Sequence, residues 1–178
     1  YGLSKYEAEM GLVKIAEQTG MEIVIIRPPL VYGAGVKANF ASLLKLVKKG
    51  YPLPFGLVNS NRRSMVSVYN LVDLIINCVS NPKAANQVFL VSDDDDLSTA
   101  GLIKHMATAM DCSSRLLPVP MWLFRVVGRL TGRFALINRL VGSLRVDITH
   151  TKETLGWKPP YTVSESMKLT VQSDCTGS

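Results

Sequence analysis

IIRPPLVYGAG, residues 25–35, runs β-branched side chains into two prolines and then into a glycine-punctuated loop. Begun at Met21, the run MEIVIIRPP is short, apolar and β-branched, and proline cannot donate to a central ladder. It predicts a buried strand of a parallel sheet that stops at Pro28 and Pro29. Upstream, residues 4–19 hold no proline and space Ala8, Leu12, Ile15 and Ala16 near a helical period, with Gly20 placed to end the helix. Downstream, NFASLLKLVKKG at 39–50 repeats that grammar with an Asn39 cap and a terminal Gly50. SMVSV at 64–68 predicts a second strand leading into the helix YNLVDLIINCVSN, and NQVFLVSD at 86–93 a third strand. STAGLIKHMATAM at 98–110 is a further helix, capped by Ser98 or Thr99. Alternating strand and helix make the fold class α/β. Beyond Pro118 the text turns helical and apolar, and GWKPPYTVSESM at 156–167 predicts a turn and a last helix. Residues 173–178 have no periodicity and read as a tail.

Composition limits the functions. The chain has 178 residues, 47% hydrophobic and 19% charged, enough for one sizeable core or two small ones. Its net charge of +6 favours an anionic ligand or surface without naming one. Nucleic acid is not expected as a partner: no zinc-finger, basic-zipper or RNP-type pattern occurs, and the aromatics do not interleave with the basic residues. Cys78, Cys112 and Cys175 are odd in number and far apart, which suits a reducing cytoplasm better than a disulfide framework. His105 and His150 are the only histidines, too few for a multi-histidine site, so no metal is expected. No apolar run reaches the roughly 18 residues a membrane span needs.

Tyr1 and Lys5 stand four apart at the front of the first helix, so they share a face. An ammonium beside a phenol favours the phenolate and lowers a pKa that starts at ~10, giving a usable acid/base near neutrality. The spacing alone is common on surfaces and carries little.

Context adds to it. YGLSKYEAE at 1–9, IIRPPLVYGAG at 25–35, RRSMVSVYNLVDLI at 62–75 and VDITHTKETLGWKPPYTVSESM at 146–167 follow one another in order. Together they resemble the extended short-chain dehydrogenase/reductases, specifically the NAD-dependent epimerase/dehydratase family and, within it, enzymes that epimerise or reduce carbon 4 of UDP-sugars. The resemblance implies the C-terminal part of a Rossmann-like NAD(P)-binding fold plus a small, mostly helical substrate-binding lobe. The corresponding division is residues 1–97, with a substrate loop inserted at about 30–62, then 98–172, then the tail. It implies Tyr1 as catalytic acid/base, Lys5 as the residue that tunes it and holds the nicotinamide ribose of NAD or NADP, and Pro28 and Pro29 as the border of the nicotinamide. Asn39 lies in the region that meets the nucleotide sugar, or serves as a plain helix cap. Arg63, or Arg62 in its place, matches the arginine that approaches the substrate diphosphate. Ser67 and Asn70 stand where many relatives have histidine and aspartate. Relatives dimerise through the first helix and a neighbour, so a homodimer is expected.

A complete member of that family carries a glycine-rich strand-to-helix turn and a catalytic serine or threonine ahead of the tyrosine, and this sequence holds neither. The chain therefore reads as a C-terminal half, expected to be inactive by itself in hydride transfer. The competing reading is a binding module that holds a nucleotide sugar or a partner subunit and catalyses nothing. Three further features have simpler readings. Arg125, Arg129 and Arg133 recur opposite Trp122, Val126 and Leu130, which fits a core-facing apolar stripe with a solvated basic face ahead of substrate phosphate contact or peripheral membrane contact. DDDD at 93–96 reads as a solvated loop before the Ser98 cap. Trp157 reads as core beneath the final turn.

Overall fold

The computed structural model describes residues 2–35, 39–130 and 141–176. Helix α1 (Gly2–Thr19) ends at Gly20, whose φ of 71° is left-handed and whose N–H donates to Ala16 O at 2.9 Å. The chain turns back into β1 (Val24–Arg27), which pairs in parallel with β4 (Gln87–Leu90) from Val24↔Gln87 to Arg27↔Leu90. Pro28 and Pro29 interrupt the ladder, and β2 (Leu30–Tyr32) then pairs in parallel with β3 (Met65–Ser67). Sequence pattern does not foresee β2, because three residues are too few to display a period of two.

Along the chain α2 (Asn39–Lys48) lies between β2 and β3, and α3 (Val68–Ser80) follows β3. The Ser67 hydroxyl caps α3 by accepting Asn70 N–H at 3.1 Å. A short 3₁₀ turn, Pro82–Ala84, leads into β4. Helix α4 (Thr99–Ala109) is capped by Ser98 rather than Thr99: the Ser98 hydroxyl accepts Gly101 N–H at 2.9 Å. After it come α5 (Met121–Leu130), α6 (Thr149–Leu155) and α7 (Val163–Thr176). Thr162 and Glu165 form a reciprocal capping box at the start of α7, with Thr162 N–H donating to Glu165 Oε2 at 2.8 Å and Glu165 N–H to Thr162 Oγ1 at 3.3 Å.

Strand β3 divides two cores. Successive strand residues face opposite sides, so Met65 enters a cluster with Phe40, Leu44, Ile103, Met106 and Met167, built on α2, α4 and α7. Val66 enters the other, with Leu74, Phe89, Val91, Leu155 and Trp157, built on α3, β4 and α6. Trp157 is 4% exposed and its indole N–H donates to Asp73 Oδ2 at 2.7 Å, so it is core, as the sequence suggests.

Two expectations fail here. Strand β1 is not buried: Val24 and Arg27 are exposed and Ile25 and Ile26 only half-buried, and α1 buries none of its own residues. The apolar stripe of α5 does not face the core either. Trp122 is 63% and Val126 43% exposed, while Phe124, on the other side of the helix, is buried and stacks on Phe55 with ring centroids 5.6 Å apart. One large aromatic filling the gap over the 53–58 loop fixes the roll of the helix and turns Trp122 outward.

Candidate active site

Tyr1 lies outside the described residues. Lys5 is exposed on α1, one turn before Glu9. Glu9 accepts Arg27 Nε at 3.1 Å through Oε1 and 3.2 Å through Oε2, and the guanidinium Nη2 also meets Oε2. The hydrogen bonds from Arg27 hold the Glu9 carboxyl below its usual range. Because α1 and β1 are joined by the short loop 20–23, they run antiparallel. This ion pair therefore sets Glu9 of α1 beside the end of β1, where Pro28 and Pro29 follow Arg27, and Lys5 lies one turn farther along the helix. Glu9 and Arg27, which sequence reasoning did not single out, are the residues that align two of the candidate segments.

Pro29 immediately precedes β2 and Ser64 immediately precedes β3, so in a parallel pair the two arginines sit at the proline end. Arg63 exchanges backbone hydrogen bonds with Leu97, N–H to O at 2.9 Å and O from N–H at 3.1 Å. Its side chain is half-buried, and burial pushes the guanidinium pKa down. Among the described residues no carboxylate pairs with it. Arg62 differs. It is exposed, its Nη1 donates to the carbonyls of Asn59 at 2.9 Å and Asn61 at 3.0 Å, and it borders a cleft of about 300 Å³ with Ser92, Asp94, Asp95, Asp96 and Arg145. Arg145 in turn donates to Asp96 Oδ2 at 2.7 Å. Asn39 opens α2.

Behind this end, the strand pairs are knotted together by a buried polar network that takes Asp93 out of the solvated loop read at DDDD, while the rest of the run remains a loop before the Ser98 cap. Asp93 is buried. Its Oδ2 accepts the Tyr32 hydroxyl at 2.7 Å, and its Oδ1 accepts Ser67 N–H at 2.9 Å and Asn70 Nδ2 at 2.7 Å. Asn70 continues to the last turn, donating to Tyr161 O at 2.9 Å and accepting Tyr161 N–H at 3.0 Å. Burial pushes the Asp93 carboxyl up, opposed by those three donors, and burial together with the Asp93 charge pushes the Tyr32 phenol up. Only Asp94 and Asp95 of the run are exposed, and Asp94 pairs with Lys152. The available signal was position: Asp93 lies three residues after the end of β4, near the strand ends where polar groups of open α/β sheets gather. Asn70, noted as a departure from relatives, is the amide that meets this carboxylate.

Among the described residues no group of three or more His, Cys, Asp or Glu could hold a metal ion, and no helix is long and apolar enough to cross a membrane.

The family described as NAD dependent epimerase/dehydratase matches residues 1–92. The chain belongs to that family. This epimerase/dehydratase chain is 58% identical over 173 residues to a UDP-glucose 4-epimerase of Vibrio cholerae, covering 97% of its own length and 53% of the relative's. It thus spans about half the length of the curated relatives it matches. Its fold superposes on a UDP-N-acetylglucosamine 4-epimerase of Bacillus cereus with a TM-score of 0.77 at 16% identity, covering 98% of this chain and 56% of the other. It also superposes on a UDP-glucose 4-epimerase of Thermotoga maritima solved with UDP-glucose, TM-score 0.71 at 22% identity, covering 99% and 53%. The α/β class and the likeness to Rossmann-fold enzymes stand on these superpositions.

Proposed function

We propose that this chain is the substrate-side half of an NAD(P)-dependent nucleotide-sugar epimerase, dehydratase or 4-keto reductase acting at carbon 4 of a UDP-sugar. The observation that carries the reading is the 58% identity to the Vibrio cholerae UDP-glucose 4-epimerase across 97% of the chain. The geometry agrees with it. The Glu9–Arg27 pair, with Lys5 one turn from Glu9 on α1, supports Lys5 as the residue that holds the nicotinamide ribose beside Pro28 and Pro29. When bound, the nicotinamide supplies hydride transfer at the sugar carbon. The chain's part is the proton: Tyr1 gives or takes it at the carbon 4 oxygen, with Lys5 four positions on as its cationic partner. Arg63, half-buried and without a carboxylate partner among the described residues, is better suited to a diphosphate than Arg62, whose fork is already committed to backbone carbonyls beside three aspartates. A homodimer through α1 belongs to the same reading, supported by exposed Leu3, Tyr6, Met10 and Leu12 on that helix.

Calorimetric titration with UDP tests the substrate side. Arg63→Gln is expected to weaken UDP binding about ten- to a hundredfold, the worth of a charge-assisted hydrogen bond, and Arg62→Gln much less. The reverse order would move the diphosphate to Arg62. In the protein at the length of its relatives, Tyr1→Phe is expected to cost about 10²- to 10⁴-fold in turnover; unchanged turnover would defeat the mechanism.

A further inference from the structure

Residues 112–146 contain six arginines, Arg115, Arg125, Arg129, Arg133, Arg139 and Arg145, and no aspartate or glutamate. The 14 other Lys and Arg are matched by 14 Asp and Glu, so this one segment carries the whole net charge of +6. Inside it, α5 exposes Trp122, Leu123 and Val126, with Leu117 exposed just before the helix. Trp122, Val126 and Arg129 recur at i, i+4 and i+7, and all three are exposed, so Arg129 lies beside the two apolar residues rather than opposite them and one outward stripe is both apolar and basic. The roll of α5 is not free to hide it. Phe124 is stacked inward on Phe55, and the strand-like strap before the helix is tied down by Leu53 N–H to Arg115 O at 2.8 Å, Leu117 N–H to Leu53 O at 2.8 Å and Gly56 N–H to Leu117 O at 2.9 Å.

We propose that this stripe of α5 docks on an anionic lipid surface, Trp122 and Val126 entering the headgroup boundary while Arg129 meets lipid phosphates. Three features select lipid over a protein partner. Tryptophan settles at membrane–water interfaces because its ring is apolar and its N–H polar. A helix with one apolar, arginine-flanked face lies in the interface plane. The charge here is of one sign, whereas the exposed apolar faces of α1 and α3 offer no such preference: α1 mixes Lys5, Glu7, Lys14 and Glu17 among its apolar residues, and α3, which exposes Val72, Ile75, Ile76 and Val79, carries no Lys or Arg. A ten-residue helix buries too little apolar surface to bind by that means alone, so the attachment is reversible and salt-dependent. The proposal stands apart from the sugar chemistry above.

Co-sedimentation of the chain with vesicles of phosphatidylcholine containing phosphatidylglycerol, against pure phosphatidylcholine, tests it, with tryptophan emission as a second readout. Trp157 is core, so a blue shift reports Trp122. The expected result is pelleting with the anionic vesicles at low salt, release at high salt, and a blue shift quenched by brominated lipid. Arg129→Gln should lower partitioning roughly fivefold, the effect of one charge near the surface, and Trp122→Ser should abolish the shift. Both side chains are exposed, so matching melting temperatures would show that the variants fold. Absence of pelleting at low salt, equal binding to neutral vesicles, or unchanged partitioning of both variants would each overturn the proposal. So would a dimer, seen by light scattering, that Trp122→Ser splits while the parent chain ignores vesicles.

Discussion

Asp93 accepts the Tyr32 hydroxyl at 2.7 Å across the join between the β1–β4 and β2–β3 pairs, with both residues buried. One side chain thereby ties the end of β2 to the segment after β4, and through Asn70 to the turn before α7. Tyr32→Phe keeps the ring against Phe40 but leaves Asp93 Oδ2 without its donor inside the protein. A buried acceptor left unmade costs about 1–3 kcal/mol, and chemical denaturation is expected to show a loss in that range with an unchanged m-value.

The same carboxylate gives stability a distinctive pH dependence. Its folded-state pKa is raised by burial, so the folded protein holds the Asp93 proton at pH values where the unfolded chain has released it. The contribution of this group to stability is therefore greatest below the unfolded value, falls as pH rises through the interval up to the folded pKa, and is constant above it. Asp93→Asn removes that dependence while keeping the shape. Melting curves of parent and variant should diverge in the variant's favour as pH rises from the acid side, then run parallel. A parent curve that gains on the variant with rising pH would mean that the three donors outweigh burial.

Much of this architecture is legible in the sequence because it is written in local rules. Gly20 and Gly50 stop helices where left-handed backbone is needed, Ser98 caps α4, and MEIVIIRPP, SMVSV and NQVFLVSD each contain a strand. The parts that escaped depend on distant partners. Asp93 looks like one member of a solvated run until Tyr32, Ser67 and Asn70 converge on it from two other segments. Trp122 looks core-facing until Phe124 takes the inner side. Of the candidate site, the segment before Pro28 and Pro29 is tied to α1 by an ion pair, Glu9 to Arg27, that spacing alone does not announce.

Gly33 locks the start of the loop toward α2. Its φ is 145°, and a Cβ there would lie 2.5 Å from Val68 Cγ1, so both conformation and space exclude a side chain. Gly33→Ala is expected to destabilise by more than the roughly 0.4–1 kcal/mol that such a substitution gains at permissive sites. Val68→Ala in the same molecule would remove the clash and leave the backbone strain. Recovery of only part of the loss in the double variant separates the two causes; full recovery would show that contact with Val68 was the whole effect.

Trp157 tests whether the two cores on either side of β3 respond separately. It belongs with Val66, Leu74, Phe89 and Leu155, and its indole N–H is held by Asp73. Trp157→Phe removes that bond and part of the ring volume, and Trp157→Ala also opens a cavity, which costs about 3–5 kcal/mol for an aromatic residue. Met65, one position before Val66, points into the other cluster, with Leu44, Ile103 and Met167. Hydrogen exchange is therefore expected to accelerate first at α3, β4 and α6 in Trp157→Phe, and at α2, α4 and α7 in Met65→Ala. The contacts within each cluster give local openings a boundary at β3, whereas the Asp93 network joins the two sides across it. If both variants loosen every helix equally, the network couples the cores into one cooperative unit, and β3 is a shared wall rather than a divide.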